Sequence, residues 1–184
     1  MTNHIHLLPT PDTEESIAKT MQSVGKRYVQ YFNTTYQRTG TLWEGRYKVT
    51  LIDSESYLFT CSRYIELNPV RANMMSHPGE YRWSSYHVNA LGKHDGLVQP
   101  HNRYLALDNS VQARQAAYRD LFRAHFDEKT IVAIRQATQK GWVLGNDRLK
   151  DEIEQLIQRR IRPLPRGGDR RSVSYQKNSV ARLG

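Results

Sequence analysis

A chain of 184 residues with 27 Lys and Arg against 18 Asp and Glu carries a net +9 at pH 7, and its mean hydropathy of −0.73 is polar for a globular protein. The length suits one domain with at most a small appendage. No apolar run approaches the roughly 18 residues of a membrane-spanning helix, and the first residues lack a basic-then-apolar secretion signal. A single cysteine, Cys61, excludes an internal disulfide and a Cys-based zinc site. These features predict a soluble, cytoplasmic protein with no membrane partner, whose charge favours a polyanion, most commonly nucleic acid.

Along the chain, residues 3–8 read as a strand ending at Pro9. A helix follows over residues 13–33, with Asp12 or Thr13 as cap, acids in the first turn, and Ile17, Met21, Val24, Tyr28 and Tyr31 at helical spacing. Gly40 breaks the chain, and residues 46–52 read as a second strand. Asp53 and Ser54 cap a helix that must end near Asn68, since Pro69 disfavours helical geometry in the residue before it. Beyond Pro69 come a turn at His77-Pro78-Gly79, a short helical element at Trp83-Ser84-Ser85-Tyr86, a loop over 92–100, and helices over 111–126, 127–138 and 146–160. The plan is therefore α+β: a unit over 1–105, a helical unit over 106–160, and a basic tail over 161–184. From residue 159 onward there are eight basic residues and one acid, Asp169, a net +7 that leaves +2 on residues 1–158. A solubilising disordered tail and a phosphate-binding arm both fit that composition.

Two stretches carry chemistry. In a strand, alternate side chains share a face, so His4 and His6 form a ready pair of metal ligands, although most His-x-His pairs are ordinary surface or core histidines. On a helix, residues four apart project from one side, so Tyr64 and Asn68 can address one site. A tyrosine there can act as a covalent nucleophile if a cation polarises its target phosphate. It can equally be a core aromatic, with Asn68 a helix cap. Tyr57, Tyr28 and Tyr31 are rival nucleophiles; Tyr57 more naturally packs or lines the site.

Together these residues resemble a known family, the single-tyrosine HUH transposases, and within it the REP-associated tyrosine transposases. The likeness rests on Asn3-His4-Ile5-His6-Leu7-Leu8, on residues 38–47 (RTGTLWEGRY), on residues 64–72 (YIELNPVRA) and on Trp83-Ser84-Ser85-Tyr86, in that order. It spans residues 1 to about 105, with the helical part to about 160 similar to longer family members. The resemblance implies a ferredoxin-like antiparallel sheet with helices, and a transposase-like single-strand DNA endonuclease and strand transferase. It assigns Tyr64 as the nucleophile and His4, His6 and Asn68 as ligands of Mg²⁺ or Mn²⁺. The product would be a 5′-phosphotyrosine link and a free 3′-OH on hairpin DNA, in a nucleoid-associated setting. Arg38, Trp43, Arg46, Tyr47 and Lys48, basic residues interleaved with aromatics, are expected DNA contacts, with Arg71 a phosphate contact. A homodimer is left open.

One departure stands against activity. The family's histidine-bearing strand is internal, preceded by a strand, a helix and a strand, whereas here Met1 lies three residues before His4. The fold is thus expected to be N-terminally incomplete, and a strand without neighbours leaves backbone groups unpaired. The alternative function is accordingly a non-catalytic remnant that only binds structured or single-stranded nucleic acid. A further option is a phosphodiesterase that uses water in place of Tyr64.

Overall fold

The structure, a computed structural model, describes residues 3–163. The basic tail, apart from its first three residues, therefore lies outside the described residues. The chain divides into a compact unit over Met1–Asn146 and a second over Asp147–Gly184.

The first unit is helical, and this corrects the expected antiparallel sheet. Among the described residues no strand forms: residues 3–8 are irregular, and residues 46–52 contribute only an isolated parallel bridge between Ile52 and Leu144. That bridge consists of the Leu144 N–H donating to the Leu51 carbonyl at 2.9 Å and the Asp53 N–H donating to the Leu144 carbonyl at 2.7 Å. A strand is stable only as part of a ladder with a covered face. Here Ile5, Leu7, Val49 and Leu51 are all exposed, so the alternation in the sequence has no neighbouring strand to satisfy and no layer to bury it.

Helix α1 spans Ser16–Tyr36, and Thr13 and Ser16 close its entrance through a side-chain hydrogen bond of 2.8 Å. It buries none of its residues. Its partner is the loop that follows: Asn33 Nδ2 donates to the Gly40 carbonyl (2.8 Å), and Trp43 Nε1 donates to the Gly25 carbonyl (3.3 Å).

Helix α2, Ser54–Glu66, starts at the expected Asp53 cap. Asp53 Oδ1 accepts from the Glu55 N–H (3.0 Å), while Oδ2 accepts from Ser56 Oγ (3.1 Å) and Asn146 Nδ2 (3.3 Å). The helix buries Leu58, Cys61, Tyr64 and Glu66. It breaks at Leu67, and a single-turn helix α3, Asn68–Arg71, begins at once with Pro69 in its first turn. Proline is tolerated there because the first N–H groups of a helix have no internal partner. Short helices α4 (Tyr86–Asn89) and α5 (Asn102–Leu105) follow, then α6 (Val111–Asp120) and α7 (Glu128–Lys140).

Two cores surround α2. In the first, Cys61 and Tyr64 pack with Ile131, Ile134 and Ala137 of α7 and with Leu144. In the second, Tyr86, Ala90 and Tyr118 are covered by Phe59, Tyr104, Leu107, Leu121 and Phe122. Helix α2 is therefore the central element, and side chains from beyond residue 105 complete both of its packed faces.

In the second unit, helix α8 spans Asp147–Ile157. Arg162 returns to it, pairing with Asp151 at 2.5 Å and Glu154 at 3.2 Å. Among the described residues no helix is long and apolar enough to cross a membrane.

Candidate active site

The residues singled out on opposite ends of the first 68 positions meet. The His4 and His6 rings lie edge-to-face with centroids 4.9 Å apart, and His6 lies edge-to-face on Tyr64 at 5.7 Å. Arg71 joins them from α3. Its Nη2 donates to the Tyr64 carbonyl at 2.6 Å and to Asn68 Oδ1 at 3.4 Å, and its Cζ stands 4.5 Å over the Tyr64 ring. His4, His6, Tyr64, Asn68 and Arg71 thus form one continuous set of contacts.

Tyr64 is only 8% exposed, and its ring belongs to the first core. That packing holds the side chain in one place. Tyr57 packs on the same core, Tyr28 lies near Trp43 at 5.7 Å, and Tyr31 is exposed; of these tyrosines Tyr64 is the one with ring contacts to His6 and Arg71.

The electrostatics of the cluster favour ligands and anions. Burial, followed by the nearby His4 and Arg71, lowers the pKa of His6 below the usual imidazole value, so its neutral, metal-binding form is favoured. His4 Nδ1 is hydrogen-bonded to Asn3 Oδ1 at 2.7 Å; with Nδ1 as the donor, Nε2 carries the free lone pair. Among the described residues no three His, Cys, Asp or Glu side chains converge, so a divalent ion would require the Asn68 amide oxygen as its third ligand. With the Asn68 amide oxygen, the His4 and His6 imidazoles would offer a divalent ion a mixed nitrogen and oxygen donor set.

Arg71 is the most heavily constrained cation. Burial is the largest influence on it and lowers its pKa, with Tyr64 acting in the opposite sense. Its Nε and Nη1 are buried and have no hydrogen-bond partner among the described residues. Donors of this kind are costly to leave unmet and suit an anionic ligand.

The other expected contacts lie elsewhere. Arg38 stands 5.6 Å over the Phe32 ring, and Trp43 is held against Gly25 and Tyr28, so both are tied to α1. Arg46, Tyr47 and Lys48 are exposed on the irregular stretch before Ile52.

Three contributors were not visible in the motifs. Phe126 lies between two guanidiniums, 4.9 Å from Arg63 Cζ and 5.9 Å from Arg71 Cζ, while Arg63 Nη2 donates to the Ala124 carbonyl at 2.5 Å. This pins the segment before α7 onto the tyrosine-bearing helix. Glu66, 1% exposed, accepts from Ser85 Oγ (2.6 Å) and the Tyr118 hydroxyl (3.0 Å). Burial pushes its carboxyl up to about 7, against the pull of those two hydroxyls. Cys61, by contrast, is an inert packing residue, its thiol pushed up to about 11 by burial.

No curated protein and no solved structure matches the chain. Residues 1–68 match the family described as "Transposase IS200 like", a segment that contains His4, His6, Tyr64 and Asn68 and stops short of Arg71. The N-terminal part of the chain is thus similar to IS200-like transposases, and the match does not single out the REP-associated branch.

Proposed function

We propose that the chain is a metal-dependent tyrosine endonuclease and strand transferase acting on single-stranded hairpin DNA, of the REP-associated kind. The observation that carries this reading is His6 against Tyr64 at 5.7 Å, with Arg71 bridging Tyr64 and Asn68. His4, His6 and Asn68 would hold Mg²⁺ or Mn²⁺, which when bound withdraws charge from the scissile phosphate.

The chain's own residues do the rest. The Tyr64 oxygen forms a bond to phosphorus as the bond from phosphorus to the 3′ oxygen breaks. The phenol gives up its proton, and the departing oxygen takes one to become a free 3′-OH. The phosphate remains as a 5′-phosphotyrosine ester, and attack on it by a 3′-OH reverses the step on another end without ATP. The unpaired N–H groups of Arg71 supply positive charge beside the tyrosine.

A second reading, binding without catalysis, is favoured by one observation. The histidines sit on an irregular segment rather than in a strand, and a ligand set so loosely supported can be present yet too imprecise for chemistry. The experiment is a labelled single-stranded hairpin incubated with the protein and run on a denaturing gel. A covalent adduct that requires Mg²⁺ or Mn²⁺ and vanishes in Tyr64→Phe is the expected result. Salt-sensitive binding with no adduct establishes the non-catalytic reading. Cleavage that survives Tyr64→Phe but not His4→Ala or His6→Ala would mean water is the nucleophile.

A further inference from the structure

We infer that the chain carries a nucleobase subsite for single-stranded DNA beside α3, built largely from residues beyond the transposase-like segment. The inference rests on the reading of the chain as a single-strand DNA protein. Its basis is a cleft of about 600 Å³, within the size range of small-ligand sites, with Leu67 and Val70 on one wall and Ala116 and Phe122 of the α6 region on another. Tyr86, from the Trp83-Ser84-Ser85-Tyr86 motif that the catalytic cluster leaves unused, lines it as well. The Tyr86 and Phe122 rings meet edge-to-face at 5.0 Å; Tyr86 is buried in the second core, so the half-buried Phe122 is the aromatic ring left to face the cleft.

Charge identifies the occupant. Arg119 and Arg123 both line the cleft, against a single acid, Asp120. Arg119 uses Nη1 on the Ala90 carbonyl, at 2.5 Å, and forms no ion pair among the described residues. Arg123 pairs with Asp120 at 3.2 Å, but both side chains are exposed, and such a pair contributes little and is readily exchanged for a phosphate. Aromatic and aliphatic walls under a cationic edge are what one nucleotide of a single strand requires: a surface for the base and a counter-charge for its phosphate. A purely apolar ligand or an acidic side chain would use only half of these features.

Position links the cleft to the cluster. Leu67 and Val70 line the cleft, whereas Asn68 and Arg71 of the same turn contact one another beside Tyr64. Leu67, Asn68, Val70 and Arg71 fall within about one helical turn of chain, so the cleft wall and the Tyr64 contacts share the same short segment.

The test uses the full chain and single-stranded oligonucleotides in which one base at a time is replaced by 2-aminopurine or by an abasic site. The variants are Ala116→Trp, which fills the cleft, and Arg123→Gln, which removes a surface charge without touching a core. The expected result is that one abasic position weakens binding to the wild-type chain about tenfold, that Ala116→Trp binds the intact oligonucleotide about tenfold more weakly with no further loss at that position, and that Arg123→Gln binds it about tenfold more weakly while remaining sensitive to that position. 2-Aminopurine at the same position should be quenched at saturation by the wild-type chain and by Arg123→Gln, and not by Ala116→Trp. If Ala116→Trp melts below the assay temperature, Arg123→Gln decides. Wild-type affinity in the variants, or no sensitive abasic position, overturns the subsite. Cleft-dependent binding with no Tyr64 adduct leaves the subsite standing and removes the strand-transfer reading; an adduct with unaffected cleft variants does the reverse.

Discussion

The Tyr118 hydroxyl of α6 donates to Glu66 of α2 at 3.0 Å, and with Ser85 Oγ at 2.6 Å on the other carboxyl oxygen it makes Glu66 the buried junction of three segments. The same carboxyl lies two residues from both Tyr64 and Asn68. Its state therefore bears on how firmly the tyrosine-bearing helix is held.

Glu66 gives a pH dependence of stability with a definite sign. Its folded value, about 7, lies above the ordinary 4.5, so the folded state prefers the protonated form. The corresponding stability is fully present below about pH 4.5 and is lost as pH rises from there through about 7. The loss is about 1.4 kcal/mol for each pH unit between those two values, and so on the order of 3 kcal/mol in all. Urea unfolding from about pH 4.5 to about pH 8 should show that decline in the wild-type chain and a flatter profile in Glu66→Gln. Tyr118→Phe, which strips one donor from the carboxylate, should cost about 1–3 kcal/mol at about pH 8.

Tyr64 separates chemistry from packing. Tyr64→Phe retains the ring that meets His6 and carries Arg71, so its melting temperature should stay near that of the wild-type chain while adduct formation disappears. Tyr64→Ala should lose about 3–5 kcal/mol through the cavity left between α2 and α7. Thermal melts run beside the adduct gel would read both.

Arg71 acts through geometry as much as charge. Arg71→Lys keeps the charge but cannot reproduce a flat guanidinium that reaches both the Tyr64 carbonyl and Asn68 Oδ1 while covering the ring. Adduct formation should fall on the order of 10²-fold in Arg71→Lys, and at least as far in Arg71→Ala, at saturating DNA. Rate loss without loss of affinity marks a contact made to the reacting phosphate. Equal loss in both would make Arg71 a simple binding residue.

The Asp53 cap can be tested in isolation. Its carboxylate accepts from Glu55 N–H, Ser56 Oγ and Asn146 Nδ2, so Asp53→Ala should cost about 1–2 kcal/mol in denaturant unfolding. Asp53→Ser, which restores the backbone contact alone, should recover about half of that.

Legibility in the sequence follows the range of the interactions. Asp53 as a cap, Pro69 as a break and the helical spacing from Ile17 to Tyr31 are local signals, and the helices start within a few residues of where these place them. The strand patterns at 3–8 and 46–52 mislead because alternation reports only that a segment suits a sheet. Whether a ladder forms depends on a partner that alternation does not specify. The same divide runs through the site. His4, His6, Tyr64, Asn68 and Arg71 are legible as motif residues, whereas Phe126 between two arginines and Tyr118 on Glu66 are contacts across long sequence separations that no spacing announces.

Helix α1 buries no side chain, and its tertiary ties run through Trp43 and Asn33 to its own following loop. Most helical stability in proteins comes from tertiary packing of an apolar face, which α1 lacks. Its amide hydrogens should therefore exchange with solvent orders of magnitude faster than those of α2 and α7, which are locked into a common core. The transposase-like segment is then two parts of unequal rigidity: a front whose helix opens locally without disturbing the remainder, and a tyrosine-bearing helix that opens only when the whole unit unfolds.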